Sequence, residues 1–418
     1  MALNALFIGS SGLQANSAAL DVVGQNLANL NTTGFKTQRA LFQDLVYQTV
    51  NAGSAPNGGL GGVNPTQAGT GVSIGALGSI FQQGSVTPTG RSLDAAIQGS
   101  GFFVVSNGQT TSYTRAGSFD IDAAGFLVDP NTGFRVQRTG NVGESTPTLP
   151  GFQVVGDNNI RVPIGAGLQG LPTENVRFQG NLSNSLAVGD TAPAAAIQVY
   201  DSQSTPRALT LTFTKTASNT FDVAATIGGG TATVTGGPVT FDTEGLLVGP
   251  ATLNINLTGL AGAANQTITL NLGTPGQATG VSQFGGASTV AAVTQDGTGF
   301  GSLTGVSFAA DGTVQGQFSN GRTVAIAQLA IAGFNNESGL LRGGNNYFNS
   351  SAASGEAIIG PGGSGGRGIV AGGALEGSNV DVASEFARLI IAQRGFQVDA
   401  RTISAANETL QELANIIR

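Results

Sequence analysis

Leucines fall at strict seven-residue intervals near the start of the chain, at Leu6, Leu13, Leu20 and Leu27. Near its end Val382, Leu389, Phe396, Ile403, Leu410 and Ile417 repeat the same step. A step of seven keeps side chains on one helix face and, when sustained, marks a coiled-coil-like seam. The companion positions add no strong second stripe: they are Gly9, Asn16, Val23 and Leu30 at one end, and Ala392, Asp399, Ala406 and Leu413 at the other. Two readings follow. Each helix lies on a globular body, or the two ends pair with each other and then with copies of themselves. Ser378 and Asp381, three residues apart, predict a capping box at the start of the C-terminal helix. Asp381 and Glu385 suit the positive end of its dipole. An isolated helix is marginal in water, so the ends are expected to become ordered on assembly.

Between the ends the period changes. Short runs rich in Val, Ile, Thr and Phe, such as GFFVV (101–105), LTLTFT (209–214) and VAIAQLAI (324–331), are punctuated by Gly and Pro. This is the pattern of all-β domains. A loose motif recurs at residues 119–127, 241–247 and 308–314: an aromatic strand end, an acidic residue, a Gly, then another apolar strand. It predicts three tight hairpins. Two Gly-rich stretches, 51–69 and 360–368, read as linkers. The fold class expected is mainly β with terminal α-helices.

Composition narrows the chemistry. The chain has 418 residues with no Cys and no His. It therefore lacks thiolates, disulfides and the commonest general base and metal ligand. Charged residues are 10% of the total and the net charge is −7, with Lys36 and Lys215 the only lysines; nucleic acid is not an expected partner. No apolar run approaches the roughly 18 residues of a membrane span, so no membrane insertion is expected. The first cation is Lys36, which does not fit a cleaved signal peptide. Asp120 to Gly125 superficially resembles a calcium loop, but Ala124 stands at the fifth position and Asn131 at the twelfth, where a bidentate Glu is needed. Gly363, Gly365 and Gly368 match a dinucleotide fingerprint by spacing alone, with no helix pattern following. No catalytic residue, metal site or cofactor is predicted, and the chain is not expected to be an enzyme.

Several stretches together resemble the rod and hook family of flagellar axial proteins. They are ANLNTTGFKTQRALFQDL (28–45), GRSLDAAIQGSGFFVV with YTRAGSFDIDAAGFLVD, and the C-terminal segment 375–418 with SNVD, AQRGFQ and LQEL in order. Asn29, Thr33, Gly34, Phe35, Lys36, Asn379, Asp381, Gln393 and Arg394 carry the motifs. The resemblance is weak over roughly residues 150–285, which read as an insertion.

The resemblance implies a nested arrangement. Residues 1–30 and 374–418 would form an inner helical layer, 31–90 a connecting region, 91–148 and 287–373 an inner β domain, and 149–286 an outer inserted β domain. It also implies a homopolymer: an extracellular helical tube, exported without a cleaved signal, that transmits torque and encloses an export channel. Rod, hook-cap and hook–filament junction proteins would be its partners. The insertion favours the hook over the shorter rod proteins; the distal rod is the alternative, and a secreted β-rich adhesin or enzyme is the rival class. The stripes from Leu6 to Leu27 and from Val382 to Ile417 are the expected assembly residues. Arg115, just before a hairpin, is expected either to make an inter-subunit contact or to be a solvated turn residue.

Overall fold

The computed structural model describes residues 2–56, 58–59, 61–146 and 151–416. It is mainly β with one long helix at each end, α1 (Ala2–Ala28) and α2 (Val382–Ile416). The chain forms two compact units. The first comprises Met1–Val162, Val306–Gln315 and Ala325–Arg418, the second Pro163–Gly305 and Gly316–Val324.

In the first unit the stretch after α1 carries four strands: β1 (Gln38–Asp44), β2 (Tyr47–Asn51), β3 (Thr66–Gly69) and β4 (Val72–Ser79). β1 pairs antiparallel with β4, and β2 with β3. The glycine-rich stretch read as a linker is thus bracketed by a ladder, because Tyr47 to Thr49 and Gln67 to Gly69 supply a paired edge. The second such stretch is a compact turn: Arg367 donates from Nε to the Pro361 carbonyl, 3.0 Å away, and from a terminal nitrogen to Ser364 Oγ, 2.8 Å away.

The β body of this unit is built on β5 (Phe102–Ser106), whose first four residues are buried. Its neighbours are Thr111–Thr114, Arg135–Val136 and Ile331–Gly333, all antiparallel. Phe102, Tyr113, Leu340 and Phe348 close a core, with Phe81 edge-on to Phe102 and Phe348 at 5.5 and 5.2 Å. Such edge-to-face pairs add roughly 0.5–1.5 kcal/mol beyond area burial.

In the second unit two sheets share one core. Phe178, Leu253, Ile255 and Ile268 come from one sheet, Leu209, Leu211, Phe213 and Phe221 from the other. Strand Pro206–Ala217 alternates buried and half-exposed positions over most of its length, the signature of a strand with one face on a core.

The three recurring motifs form one turn three times. Asp122 Oδ1 accepts the N–H groups of Ala124 and Phe126, and Asp242 Oδ1 those of Glu244 and Leu246. Asp311 Oδ1 accepts the N–H of Thr313, and those bonds, with the Thr313 hydroxyl, hold its carboxyl below the usual carboxylate range. Gly125, Gly245 and Gly312 follow at φ +83°, +82° and +84°, a region glycine enters without steric cost.

The start of α2 departs from expectation. Asp381, not Ser378, caps the helix: Asp381 Oδ1 accepts the Ser384 N–H at 2.8 Å. The residues just before it lie outside the helix, where Asn379 is tied down by its side chain. Its side-chain oxygen accepts from the Thr37 N–H and hydroxyl, and its Nδ2 donates to the carbonyls of Ile80 and Gln82.

Candidate assembly surface

α1 and α2 pack antiparallel within one chain: Gly9 lies against Ile403, and Asn26 against Glu385. This pairing covers part of both stripes without a neighbour, which differs from ends that order only on assembly. The contact is close because three positions lack side chains. A Cβ on Gly9 would sit 2.8 Å from Ile403 Cγ1, one on Gly12 2.6 Å from the Asp399 carboxylate, and one on Gly395 2.9 Å from the Asn16 amide.

Polar groups fix the register. Asn16 Nδ2 donates to Asp399 Oδ2 at 2.9 Å. Asn26, fully buried, donates to Glu385 Oε2 and to the Gln38 carbonyl, and accepts the Gln38 N–H. Glu385 is also buried and accepts from Arg388 at 2.8 Å.

The heptad residues are not the deepest part of this pairing. Leu6, Leu13, Leu20, Leu27, Leu389, Phe396, Ile403 and Leu410 are half-buried, and Val382 is 38% exposed. Ile417 lies outside the described residues. The buried apolar side chains are Ala15, Val22, Val23, Ala392 and Ala406, so some of the weak-looking companions lie deepest. The far side of α2 leaves large apolar groups in solvent: Phe386 at 50%, Ile390 at 57%, Ile391 at 71% and Val398 at 60%, with Phe7 and Ile8 exposed on α1. A groove of about 250 Å³ runs between α1, α2 and β1, with Val22, Val23, Phe42, Ile391 and Ala392 in its wall.

The motif residues converge elsewhere, at a buried ion cluster. Lys36 Nζ lies 2.7 Å from Glu376 Oε1 and donates to the Gln82 carbonyl. Arg115 reaches Glu376 Oε2 at 3.3 Å and the Gly99 carbonyl at 2.8 Å. The Gly84 N–H completes the carboxylate at 2.9 Å. Arg115 is 1% exposed, so it is neither a solvated turn residue nor available to another subunit; the turn that carries it folds inward to meet Glu376. Burial, then the Arg115 charge, lower the Lys36 pKa, with Glu376 pulling against them. Burial raises the Glu337 pKa despite the nearby Arg115 and Lys36 charges, and burial lowers that of Arg342.

Each remaining motif residue has a defined place. Gly34, at φ +69°, passes so close to the turn that a Cβ would sit 2.6 Å from Ala116 N, while its own N–H donates to the Glu376 carbonyl. Phe35 is buried beneath Arg342, whose guanidinium lies 5.1 Å from the ring centre and donates to the Lys36 carbonyl. The Thr33 carbonyl accepts from Asn346, and Asn29 Nδ2 donates back to Gln25. Gln393 and Arg394 are exposed on α2. Glu376 and Asn379 both anchor the segment after α1, through Lys36 and Thr37, and only Asn379 is among the motif residues.

Comparison with known proteins decides the family. Residues 6–36 match the family described as flagella basal body rod protein, and 371–416 the flagellar basal body rod FlgEFG protein C-terminal. Residues 96–172 match the flagellar hook protein FlgE/F/G D1 domain, and 184–298 the flagellar basal body protein FlaE D2 domain. The flagellar hook protein FlgE of Treponema pallidum is 34% identical over the whole of both chains. The chain belongs to the flagellar hook protein family. A relative named flagellar basal-body rod protein FlgG, from Bacillus subtilis, is 28% identical and also spans both chains fully. Length alone therefore does not separate hook from rod relatives. A solved structure of Helicobacter pylori flagellar hook protein FlgE2 aligns over 68% of this chain and 98% of its own, at 15% identity and a TM-score of 0.45. The Lys36–Glu376–Arg115 cluster draws on three of these matched hook-family regions, one ion from each.

Proposed function

We propose that this chain is the structural subunit of the bacterial flagellar hook, polymerising into a flexible helical tube that joins rod to filament, carries torque and surrounds an export channel. The observation that carries the reading is the exposed apolar face of α2, from Phe386 to Val398, in a chain related to a hook protein over its full length. A face of that kind stays soluble by being covered, and a chain that covers it with a different surface of the next copy builds an open helix. The half-buried stripes, Leu6 to Leu27 and Leu389 to Leu410, are assigned to the same layer, completing their burial between subunits.

On this reading the chain is not an enzyme, leaves the cell without a cleaved signal, and meets rod, cap and junction proteins at the ends of the tube. Residues 1–30 and 374–418 form the inner layer. Negative-stain microscopy of concentrated protein tests this: tubes are expected, and their absence under all salting-out conditions overturns it. The full-length rod relative favours a second reading, the distal rod. Complementation separates the two, because a hook subunit restores hooks to a strain lacking its hook protein and not to one lacking its distal rod.

A further inference from the structure

The outer face of α2 changes character along its length. Near its start it presents Phe386, Ile390, Ile391 and Val398; it then presents Arg394 and Arg401, and finally Glu408 and Glu412. At 100° per residue Arg394, Arg401, Glu408 and Glu412 lie within about 40° of one line. All four are exposed, and among the described residues none makes an ion pair within the chain; Arg394 has only a 3.4 Å contact to Gln397. The other cation in this stretch, Arg388, is already paired with buried Glu385 on the inner side.

We propose that the acidic end of α2 docks on the basic middle of α2 in a second copy of the chain. The inference rests on the polymer reading above and specifies one contact within it. Charge complementarity fixes the axial offset. Fourteen residues separate Arg394 from Glu408 and eleven separate Arg401 from Glu412, so two parallel helices satisfy both pairs when displaced by about 16–21 Å. The same displacement has an independent consequence. Gly9 of α1 packs against Ile403, which puts Phe7 and Ile8 level with the turn of α2 just beyond Ile403. Moved back by fourteen residues, the Arg394–Glu408 spacing, those exposed apolar groups come level with Ile390 and Ile391 of the neighbour, and by eleven residues they lie one turn further along. One offset thus pairs the charges and brings two exposed apolar patches to the same height. The contact uses different surfaces on the two copies and has no closing symmetry, so it propagates.

Charge exchange tests the proposal in the full-length chain. Glu408→Arg with Glu412→Arg gives a helix that is basic in both places; Arg394→Glu with Arg401→Glu gives one acidic in both. Each variant alone is expected to lose sedimentable tubes under conditions where the parent forms them, with unchanged helicity and melting. An equal mixture of the two is expected to regain tubes, because each acidic end then meets a basic middle or the reverse. Either variant polymerising like the parent overturns the contact, as does a mixture that stays unassembled. A parent that forms no tubes under any condition overturns instead the polymer reading on which the contact rests.

Discussion

Lys36 and Glu376, 340 residues apart, meet at 2.7 Å with both side chains fully buried. Arg115 shares the same carboxylate, so one anion holds two cations. The two sides of the pair are therefore unequal. Glu376→Gln strands both cations and is expected to cost about 3–5 kcal/mol or more, the range for breaking a buried pair. Lys36→Met leaves Arg115 and the Gly84 N–H on the carboxylate and Asn379 Nδ2 on the Gln82 carbonyl; the loss of one charged hydrogen bond, about 1.5–3 kcal/mol, is expected. Denaturant unfolding of both variants checks the order, and equal losses would contradict the sharing of one carboxylate.

Gly34 and Gly140 share φ +69°, but a Cβ on Gly34 would meet Ala116 N at 2.6 Å while one on Gly140 meets nothing within 4 Å. Gly140→Ala is expected to cost only the left-handed backbone term, roughly 1–2 kcal/mol. Gly34→Ala should exceed it by about 1–3 kcal/mol of overpacking. Melting curves of the two variants measure the difference, and equal losses would show that the backbone at Gly34 relaxes freely.

Glu337 gives a pH dependence. Burial raises its pKa above the ordinary 4.5, so the folded chain binds its proton more tightly than the unfolded chain. The corresponding stability is fully present below the ordinary value and is lost as pH rises through the raised one. Glu337→Gln is expected to be the more stable chain at about pH 8, with the gap narrowing toward pH 4. A melting temperature below the parent's at the higher pH would mean that attraction to Arg115 and Lys36 outweighs burial.

Phe396 lies half-buried in the helix layer and outside the core of the second unit. Phe396→Asp should abolish tubes, since a carboxylate would have to be buried in every subunit, and leave the β-sheet signal intact. Microscopy beside circular dichroism checks both parts, and normal tubes would remove Phe396 from the assembly layer.

The periodicities were the most legible part of the sequence. Steps of seven marked two long helices, and the Asp-to-Gly motifs marked turns whose bonding needs only a few consecutive residues. What pattern could not reach were relations set at a distance. Ser378 looked like a cap because its spacing to Asp381 is local, whereas the bonds from Asn379 to Thr37, Ile80 and Gln82 are not. Arg115 looked exposed because it precedes a turn, and only the fold places Glu376 against it. Gly9 reads as a weak companion of the seam, yet with Gly12 and Gly395 it marks a close approach of the two helices.

The ion cluster also sets an order of events during folding. Its carboxylate lies at residue 376 of 418, while its cations lie at 36 and 115. A chain made or threaded from its N-terminus carries both cations long before their partner arrives. Closing so long a loop costs entropy that local contacts do not repay, and contacts of such separation slow folding. The second unit, Pro163–Gly305 with Gly316–Val324, needs nothing from residue 376 and can form first. Until Glu376 arrives, Lys36 and Arg115 have every reason to stay in water, so the region around them remains soft and threadable.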